Sequence, residues 1–163
     1  GNDTTRNSMT GGLLALNDNP EQFAKLRANP ALVESLVPEI IRWQTPLAYM
    51  RRVAAQDTIL NGQFIRKGDK LVMWYASANR DERVFPDPDV FDIDRTCEHQ
   101  VAFGRGVHFC LGAALARMEA RTALNALLDK VPDWVVDLES ARRLRSGPIR
   151  GFTSLPIMWA APV

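Results

Sequence analysis

A glycine-rich segment that carries a single cysteine constrains this chain most. Residues 103–112 run Phe-Gly-Arg-Gly-Val-His-Phe-Cys-Leu-Gly, and a helical pattern of apolar residues begins directly afterwards. Glycine lets a backbone approach a large flat group closely. The thiol of Cys110 would face the free N–H groups and the positive dipole end of the following helix, which favour a thiolate. The segment therefore predicts an anionic metal ligand at Cys110.

The spacing of phenylalanine, glycine, histidine and cysteine in this segment resembles the haem-binding signature of the cytochrome P-450 family. The resemblance implies that Cys110 is the axial thiolate of haem b, where the sulfur pushes electron density toward the iron. It also implies that His108 donates to a haem propionate and that Phe103, Gly104 and Gly112 contact the cofactor. The alternative to haem ligation is that Cys110 is a buried structural cysteine in an ordinary glycine-rich loop.

Length, charge and cysteine content set the broad class. The chain has 163 residues, of which 46% are apolar, and a formal net charge of +1. This composition allows one sizeable core, and the weak charge gives no field that would favour nucleic acid. Two cysteines give no disulfide framework, and no apolar run is long enough to span a bilayer. We therefore expect a cytoplasmic protein.

The family resemblance also predicts the extent of the domain. Because family members are more than twice as long, residues 1–163 would be the C-terminal haem-binding portion of a single cytochrome P-450 domain, with its N-terminal part absent. The implied fold is mainly α with small β-sheets. It would run from the end of the distal I-helix through the haem-binding loop and the following L-helix to C-terminal strands.

Local patterns predict the individual elements. Helices are expected over Gly1–Leu16, after Asn19-Pro20, and from Asn29-Pro30 to Trp43, with a kink or fresh start at Pro38 and an end at Pro46. Two strands around a turn are expected over 53–75, the second more buried, followed by a long ordered meander over 77–100. A helix with one apolar face follows from Leu111 until Pro132, and short strands and turns complete the tail.

An acid and an arginine lie three residues apart in Pro38–Pro46. Glu39 and Arg42 would share a helix face and pair, although most such pairs are weak surface ion pairs. Their distance upstream of Cys110 matches the Glu-x-x-Arg motif of the family, which implies that they lock the meander beneath the haem. The arginine that completes this network in the family is replaced by Val90, and Arg95 is the expected substitute.

The first residues resemble the oxygen-activating segment of the family's distal helix. Asp3 and Thr4 place an acid beside an alcohol, and oxygen activation needs a proton donor with a route to solvent. The resemblance implies that Asp3 relays protons and that Thr4 supports the hydrogen bond at the oxygen site. An N-cap at the start of a helix is the alternative role for these residues.

Several arginines have expected partners. Arg52 aligns with a propionate-binding arginine of the family, although it could be an ordinary surface residue. Arg105, Arg117 and Arg121 flank the cysteine and could form a basic face, and the resemblance implies that an electron donor docks there; ordinary exposed arginines are the alternative. The implied partners are dioxygen and a ferredoxin-type electron donor supplied by an NAD(P)H-dependent reductase.

Segments 46–50 and 151–154 correspond to pocket-lining segments of the family. Leu47, Ala48, Met50 and Phe152 are apolar or small, which favours a hydrophobic substrate. The surrounding segments resemble bacterial alkane and fatty-acid terminal hydroxylases most. We therefore expect a haem-thiolate monooxygenase that hydroxylates chain ends, and sterol side-chain oxidation by a related cytochrome P-450 is the alternative.

Two other interpretations follow from the same residues. Cys97, His99, His108 and Cys110 are the ligand types of a structural zinc site, although single-residue spacing within each pair is unusual for one. Alternatively, the chain is a piece of a monooxygenase that does not hold haem by itself and is inactive.

Overall fold

The computed structural model describes residues 2–131 and 133–159. The helices are α1 (Asn2–Asp18), α2 (Pro20–Ala28), α3 (Val33–Gln44), α4 (Tyr75–Ala78) and α5 (Ala113–Lys130). Short 3₁₀ turns occupy Pro30–Leu32 and Gly106–His108. Two predicted helix-end residues, Gly1 and Pro132, lie outside the described residues. The expected mainly α fold with small sheets is confirmed.

The core lies where α1 and α5 pack against α3. Apolar residues at helical spacing on α3, among them Leu36, Val37 and Ile40, are almost completely buried. Helix α1 comes very close to α3 at Gly12, where an added Cβ would lie 2.5 Å from the Cδ1 atom of Ile40. The small residue at this crossing therefore sets the distance between the two helices that carry the site.

Helix α3 includes Pro38, where the sequence predicts a kink or a fresh start. It runs through Pro38 without a fresh start, although a proline beyond the first turn removes one hydrogen bond of the helix. The helix ends before Pro46, as expected. Thr45 follows its last residue with a φ of 40°, and its hydroxyl donates to the carbonyl of Arg42 at 2.6 Å.

The segment after α3 forms four strands rather than the predicted two. β1 (Tyr49–Val53) pairs antiparallel with β4 (Lys70–Trp74), and β2 (Thr58–Leu60) with β3 (Gln63–Ile65). Asn61-Gly62 makes the turn of this inserted hairpin, with both residues at positive φ. The apolar stretch at 49–53 was missed because arginines interrupt it. β4 is more buried than the hairpin, as predicted.

The remaining chain brings the cysteine loop under α1. After α4 the backbone runs without regular elements to the 3₁₀ turn at 106–108, as expected for the meander. The tail forms β5 (Val135–Val136), β6 (Arg142–Arg143), β7 (Phe152–Ser154) and β8 (Ile157–Met158), paired as β5–β8 and β6–β7. Within residues 2–131 and 133–159, no helix combines the length and apolarity needed to cross a membrane.

Candidate functional site

A cavity of about 1220 Å³ lies between α1, the cysteine loop, β1 and α5. Its lining is mostly apolar, and α5 contributes the long strip from Leu115 to Ala126. Leu115 and Met118, predicted to lie on one apolar helix face, are half-exposed along this cavity, whereas Leu124 is buried in the core and Ala120 contacts both. The apolar residues of α5 therefore contribute both to the core and to the wall of the cavity.

Most of the predicted site residues surround this cavity. Those that line it are Thr4, Leu47, Met50, Arg52, Phe103, Gly104, His108, Cys110 and Gly112. Residues more than a hundred positions apart in the chain thus meet at one site. Their individual roles stay predictions.

Three predicted residues lie off the cavity. Asp3 is exposed and forms an ion pair with Arg6 at 3.2 Å. Ala48 is buried in β-bridge contacts, where its N–H donates to Pro148 at 2.7 Å. Phe152 is buried under the guanidinium of Arg143, 4.2 Å from its ring centroid. Neighbours in sequence along an extended segment point in opposite directions, which separates Ala48 from the lining residue Leu47.

The cysteine loop holds Cys110 by backbone hydrogen bonds. The N–H of Cys110 donates to the carbonyl of Phe103 at 2.9 Å, and the N–H of Ala113 donates to the carbonyl of Cys110 at 3.2 Å. Gly104 and Gly106 adopt positive φ angles of 70° and 64°. The thiol is exposed and unbridged at the entrance to α5. This geometry presents the sulfur to the cavity close to a helix N-terminus.

The residues around the sulfur fit a large flat cofactor. A Cβ at Gly112 would meet only the sulfur of Cys110, at 3.9 Å, so any side chain there would fill the space beside it. Arg52 and His108 bring nitrogen donors to the same cavity, and such donors can bind carboxylates. The apolar walls suit the flat ring of a haem, the exposed thiol suits its iron, and the nitrogen donors of Arg52 and His108 suit its carboxylates.

Glu39 and Arg42 form a completely buried ion pair on α3. The Nε of Arg42 donates to Oε2 of Glu39 at 2.6 Å and its Nη2 donates to Oε1 at 2.7 Å. The other guanidinium nitrogen donates to the carbonyls of Asn79 and Pro88 at 2.8 and 2.9 Å. Because every charge is hydrogen-bonded, the pair can be tolerated away from water. These hydrogen bonds tie α3 to the meander.

Arg95 completes this network where Val90 interrupts the sequence pattern. Its Nε lies 3.4 Å from Oε1 of Glu39. Its terminal nitrogens donate to the carbonyls of Pro86, Asp87 and Val90 at 2.5, 2.9 and 3.1 Å. The expected substitution by Arg95 therefore matches the geometry.

Sequence reasoning missed two further members of the network. The thiol of Cys97 donates to Oε2 of Glu39 at 3.3 Å, and burial, with the charge of Glu39, raises the pKa of this thiol to about 12. Asn79 is fully buried and accepts the N–H of Val101 at 2.8 Å. Asn79 lies in the segment predicted as an irregular meander, shortly after an apolar stretch. Nothing else in the sequence marks it as a buried residue.

The zinc alternative is not supported by the geometry. Among residues 2–131 and 133–159, no group of three or more His, Cys, Asp or Glu side chains could hold a metal ion. Cys97 is buried against Glu39, whereas Cys110 is exposed at the cavity. Cys97 and Cys110, two of the four residues in the zinc alternative, therefore lie in different environments.

The predicted basic face is partly engaged in contacts within the chain. Arg117 stacks on Phe103 at 4.7 Å from the ring centroid, and Arg121 pairs with Glu34 at 3.0 Å. Arg105 and Arg117 line a second cavity of about 450 Å³ on the other side of the cysteine loop. This side therefore keeps a basic character.

The exposed thiol, the glycine-bounded cavity and the buried acid–arginine pair define a haem-thiolate type of site. A model of the cytochrome P450 family matches residues 1–131. The chain belongs to this family, whose members bind haem through an axial cysteine thiolate.

Individual relatives extend the similarity over almost the whole chain. It is 46% identical over 162 residues to a methyl-branched lipid omega-hydroxylase of Mycobacterium tuberculosis, covering 98% of this chain and 38% of the relative. It is 43% identical over 158 residues to a steroid C26-monooxygenase of Rhodococcus jostii, covering 96% and 33%. The chain thus spans between a third and two fifths of the length of these relatives.

A solved structure carries the same fold. Substrate-free CYP109E1 of Bacillus megaterium matches with a TM-score of 0.95 at 34% identity, over 99% of this chain and 42% of that protein. The described elements therefore correspond to one part of the cytochrome P450 fold.

Proposed function

We propose that this chain supplies the haem-binding part of a monooxygenase, with Cys110 as the axial ligand. The observation that carries the proposal is the exposed thiol of Cys110 on the wall of the apolar cavity. Haem held by a thiolate supplies dioxygen activation and the insertion of one oxygen atom into a C–H bond. The protein supplies ligation, orientation and proton delivery.

The haem carboxylates would bind Arg52 and His108. Both side chains line the cavity together with Cys110 and are carried by separate elements, β1 and the 3₁₀ turn. Charge-assisted hydrogen bonds from such donors are stronger than neutral ones. Phe103, Gly104 and Gly112 would contact the cofactor face.

Thr4 and Asp3 would deliver protons from solvent. Thr4 lines the cavity on α1 and is partly buried. Asp3 lies beside it on the exposed side and is paired with Arg6. An exposed carboxylate next to a cavity hydroxyl supports a relay in which Asp3 would pass protons from solvent and the hydroxyl of Thr4 would support the hydrogen bond at the oxygen site.

The proposed substrate is a hydrophobic chain oxidised at or near its end. The apolar side chains of Leu47 and Met50 on the cavity support a hydrophobic ligand. The omega-hydroxylase relative supports attack at a chain terminus. Alkanes and fatty acids are the first candidates, and the steroid C26-monooxygenase relative favours sterol side-chain oxidation as the second.

Electrons would come from a ferredoxin-type donor with an NAD(P)H-dependent reductase. The arginines at 105 and 117 give the side of the cysteine loop remote from α1 a positive charge that complements an acidic donor. A cytoplasmic location fits a freely diffusing donor and stays a prediction.

The reduced carbon monoxide complex tests the assignment of Cys110. In the longest natural chain that contains this sequence, the unsubstituted protein should show the red-shifted Soret band of a thiolate ligand. Cys110→His should bind haem without that band. Cys97→Ser, which alters the other thiol, should keep the band position. A red-shifted band in Cys110→His would overturn the assignment.

A further inference from the structure

Asn79 lies at a junction between the ion-pair network and the cysteine loop. It follows α4 and is completely buried, and its N–H donates to the carbonyl of Tyr75 at 2.9 Å. Its Nδ2 donates to the hydroxyl of Thr45 at 2.9 Å, and its own carbonyl accepts from Arg42 at 2.8 Å. A buried amide with all these groups paired is held rigidly.

The remaining atom of this amide reaches the cysteine loop. The Oδ1 of Asn79 accepts the N–H of Val101 at 2.8 Å. The carbonyl of Val101 accepts from Gly104 at 2.8 Å, and the carbonyl of Phe103 accepts from Cys110 at 2.9 Å. Segment 101–104 is thus a turn that is held by Asn79 at its start and holds the backbone of Cys110 near its end.

The hydrogen bond between Asn79 and Val101 enters the cysteine loop directly. Within residues 2–131 and 133–159, every other hydrogen bond of segment 101–110 stays inside that segment or joins it to the first turn of α5. Asn79 therefore gives the Glu39–Arg42 pair its direct hydrogen-bonded route into segment 101–110, whereas a second path, from Glu39 through Cys97 to the N–H of Gln100, ends one residue before that segment.

We propose that Asn79 is the positioning residue that couples the buried Glu39–Arg42 pair to the loop of Cys110. The inference rests on the proposed role of Cys110. The ion pair fixes the backbone carbonyl of Asn79, the side chain of Asn79 fixes Val101, and the turn fixes the cysteine backbone. Asn79 thereby keeps the sulfur at one distance and direction relative to the cavity.

The test compares Asn79 with Asn17, because the side-chain oxygen of each residue accepts a backbone N–H in a different part of the fold. Asn17 on α1 accepts the N–H of Val136 at 2.9 Å, remote in the chain from the cysteine loop, and serves as the matched control. In the longest natural chain, Asn79→Ala and Asn17→Ala should both lower the melting temperature. The rate at which the red-shifted thiolate band is lost should rise only in Asn79→Ala, by about tenfold for one lost hydrogen bond. This rate is measured at temperatures at which the helix content of the protein is unchanged.

A conservative variant keeps the test decisive if Asn79→Ala does not hold haem. Asn79→Asp retains an oxygen for the N–H of Val101 and should retain a long-lived thiolate band. Equal lability in Asn79→Ala and Asn17→Ala would overturn the inference, as would haem loss or rapid band loss in Asn79→Asp. A missing thiolate band in the unsubstituted protein would instead overturn the proposed function, so the two failures are distinguishable.

Discussion

The sulfur of Cys97 lies 3.3 Å from Oε2 of Glu39, inside the buried network of Glu39, Arg42 and Arg95. Burial and the negative charge of Glu39 both disfavour a thiolate here. Cys97 therefore donates to the carboxylate, which receives its other hydrogen bonds from Arg42 and from the N–H of Asp92.

The first prediction is an alkaline loss of stability caused by Cys97. Burial raises the pKa of its thiol from 9.0 to about 12. Between these values the unfolded chain releases the proton and the folded chain keeps it. The contribution to folding free energy is therefore complete below pH 9.0 and is lost as pH rises towards about 12.

Unfolding titrations of the unsubstituted protein and Cys97→Ser over this pH range measure that loss. The serine hydroxyl does not titrate there, and ionisations shared by both proteins cancel in the difference. The stability difference should shift in favour of Cys97→Ser by at most about 1.4 kcal/mol for each pH unit. A difference that stays flat with pH would contradict the assignment.

The second prediction concerns the buried ion pair. Glu39→Ala leaves the guanidinium of Arg42 without its carboxylate in a completely buried position. The expected cost is about 3–5 kcal/mol of folding free energy, and the purified protein should carry little haem. Denaturant unfolding and the haem-to-protein ratio measure the two effects.

Glu34→Ala on the same helix is the matched control. Glu34 pairs with Arg121 at 3.0 Å, but its side chain is 70% exposed. Such a surface pair contributes at most about 1 kcal/mol. Normal haem content in Glu39→Ala, with only slower turnover, would show that the buried pair does not support the haem site.

The core and the cavity differ in how far sequence predicts them. The Glu39–Arg42 pair and the cysteine loop follow from short local patterns, and α3 follows from apolar residues at helical spacing. The link from Asn79 to Val101 spans 22 residues of irregular chain, and no periodicity encodes it. Ala48 and Phe152 were predicted to line the cavity because they lie in segments 46–50 and 151–154. The direction in which each side chain points depends on tertiary packing, which the sequence of the segment does not reveal.

The third prediction separates proton delivery from binding at Thr4. Thr4→Ala removes a hydroxyl on the cavity wall while leaving its apolar character. Reductant should still be consumed, but more oxygen should be released as peroxide because proton delivery is poorly directed. Product formed per electron is the quantity to measure.

Thr10 on the same helix supplies the control for this measurement. Its hydroxyl donates to the backbone carbonyl of Arg6 at 3.1 Å and does not line the cavity. Thr10→Ala should keep the product yield per electron of the unsubstituted protein. An undiminished yield in Thr4→Ala would assign proton delivery to another group.

The last prediction concerns the substrate. Medium-chain alkanes or fatty acids should shift the haem spin state and be oxidised at or near the chain end. Met50→Ala enlarges the cavity and should move the preference towards longer chains, in graded steps because one methylene is worth only about 1–3 kcal/mol. Val53→Ala alters the other end of the same strand, away from the cavity, and should leave the chain-length profile unchanged. A panel that includes sterols decides between the two candidates, since tight sterol binding without a response to linear chains would replace terminal hydroxylation by sterol side-chain oxidation.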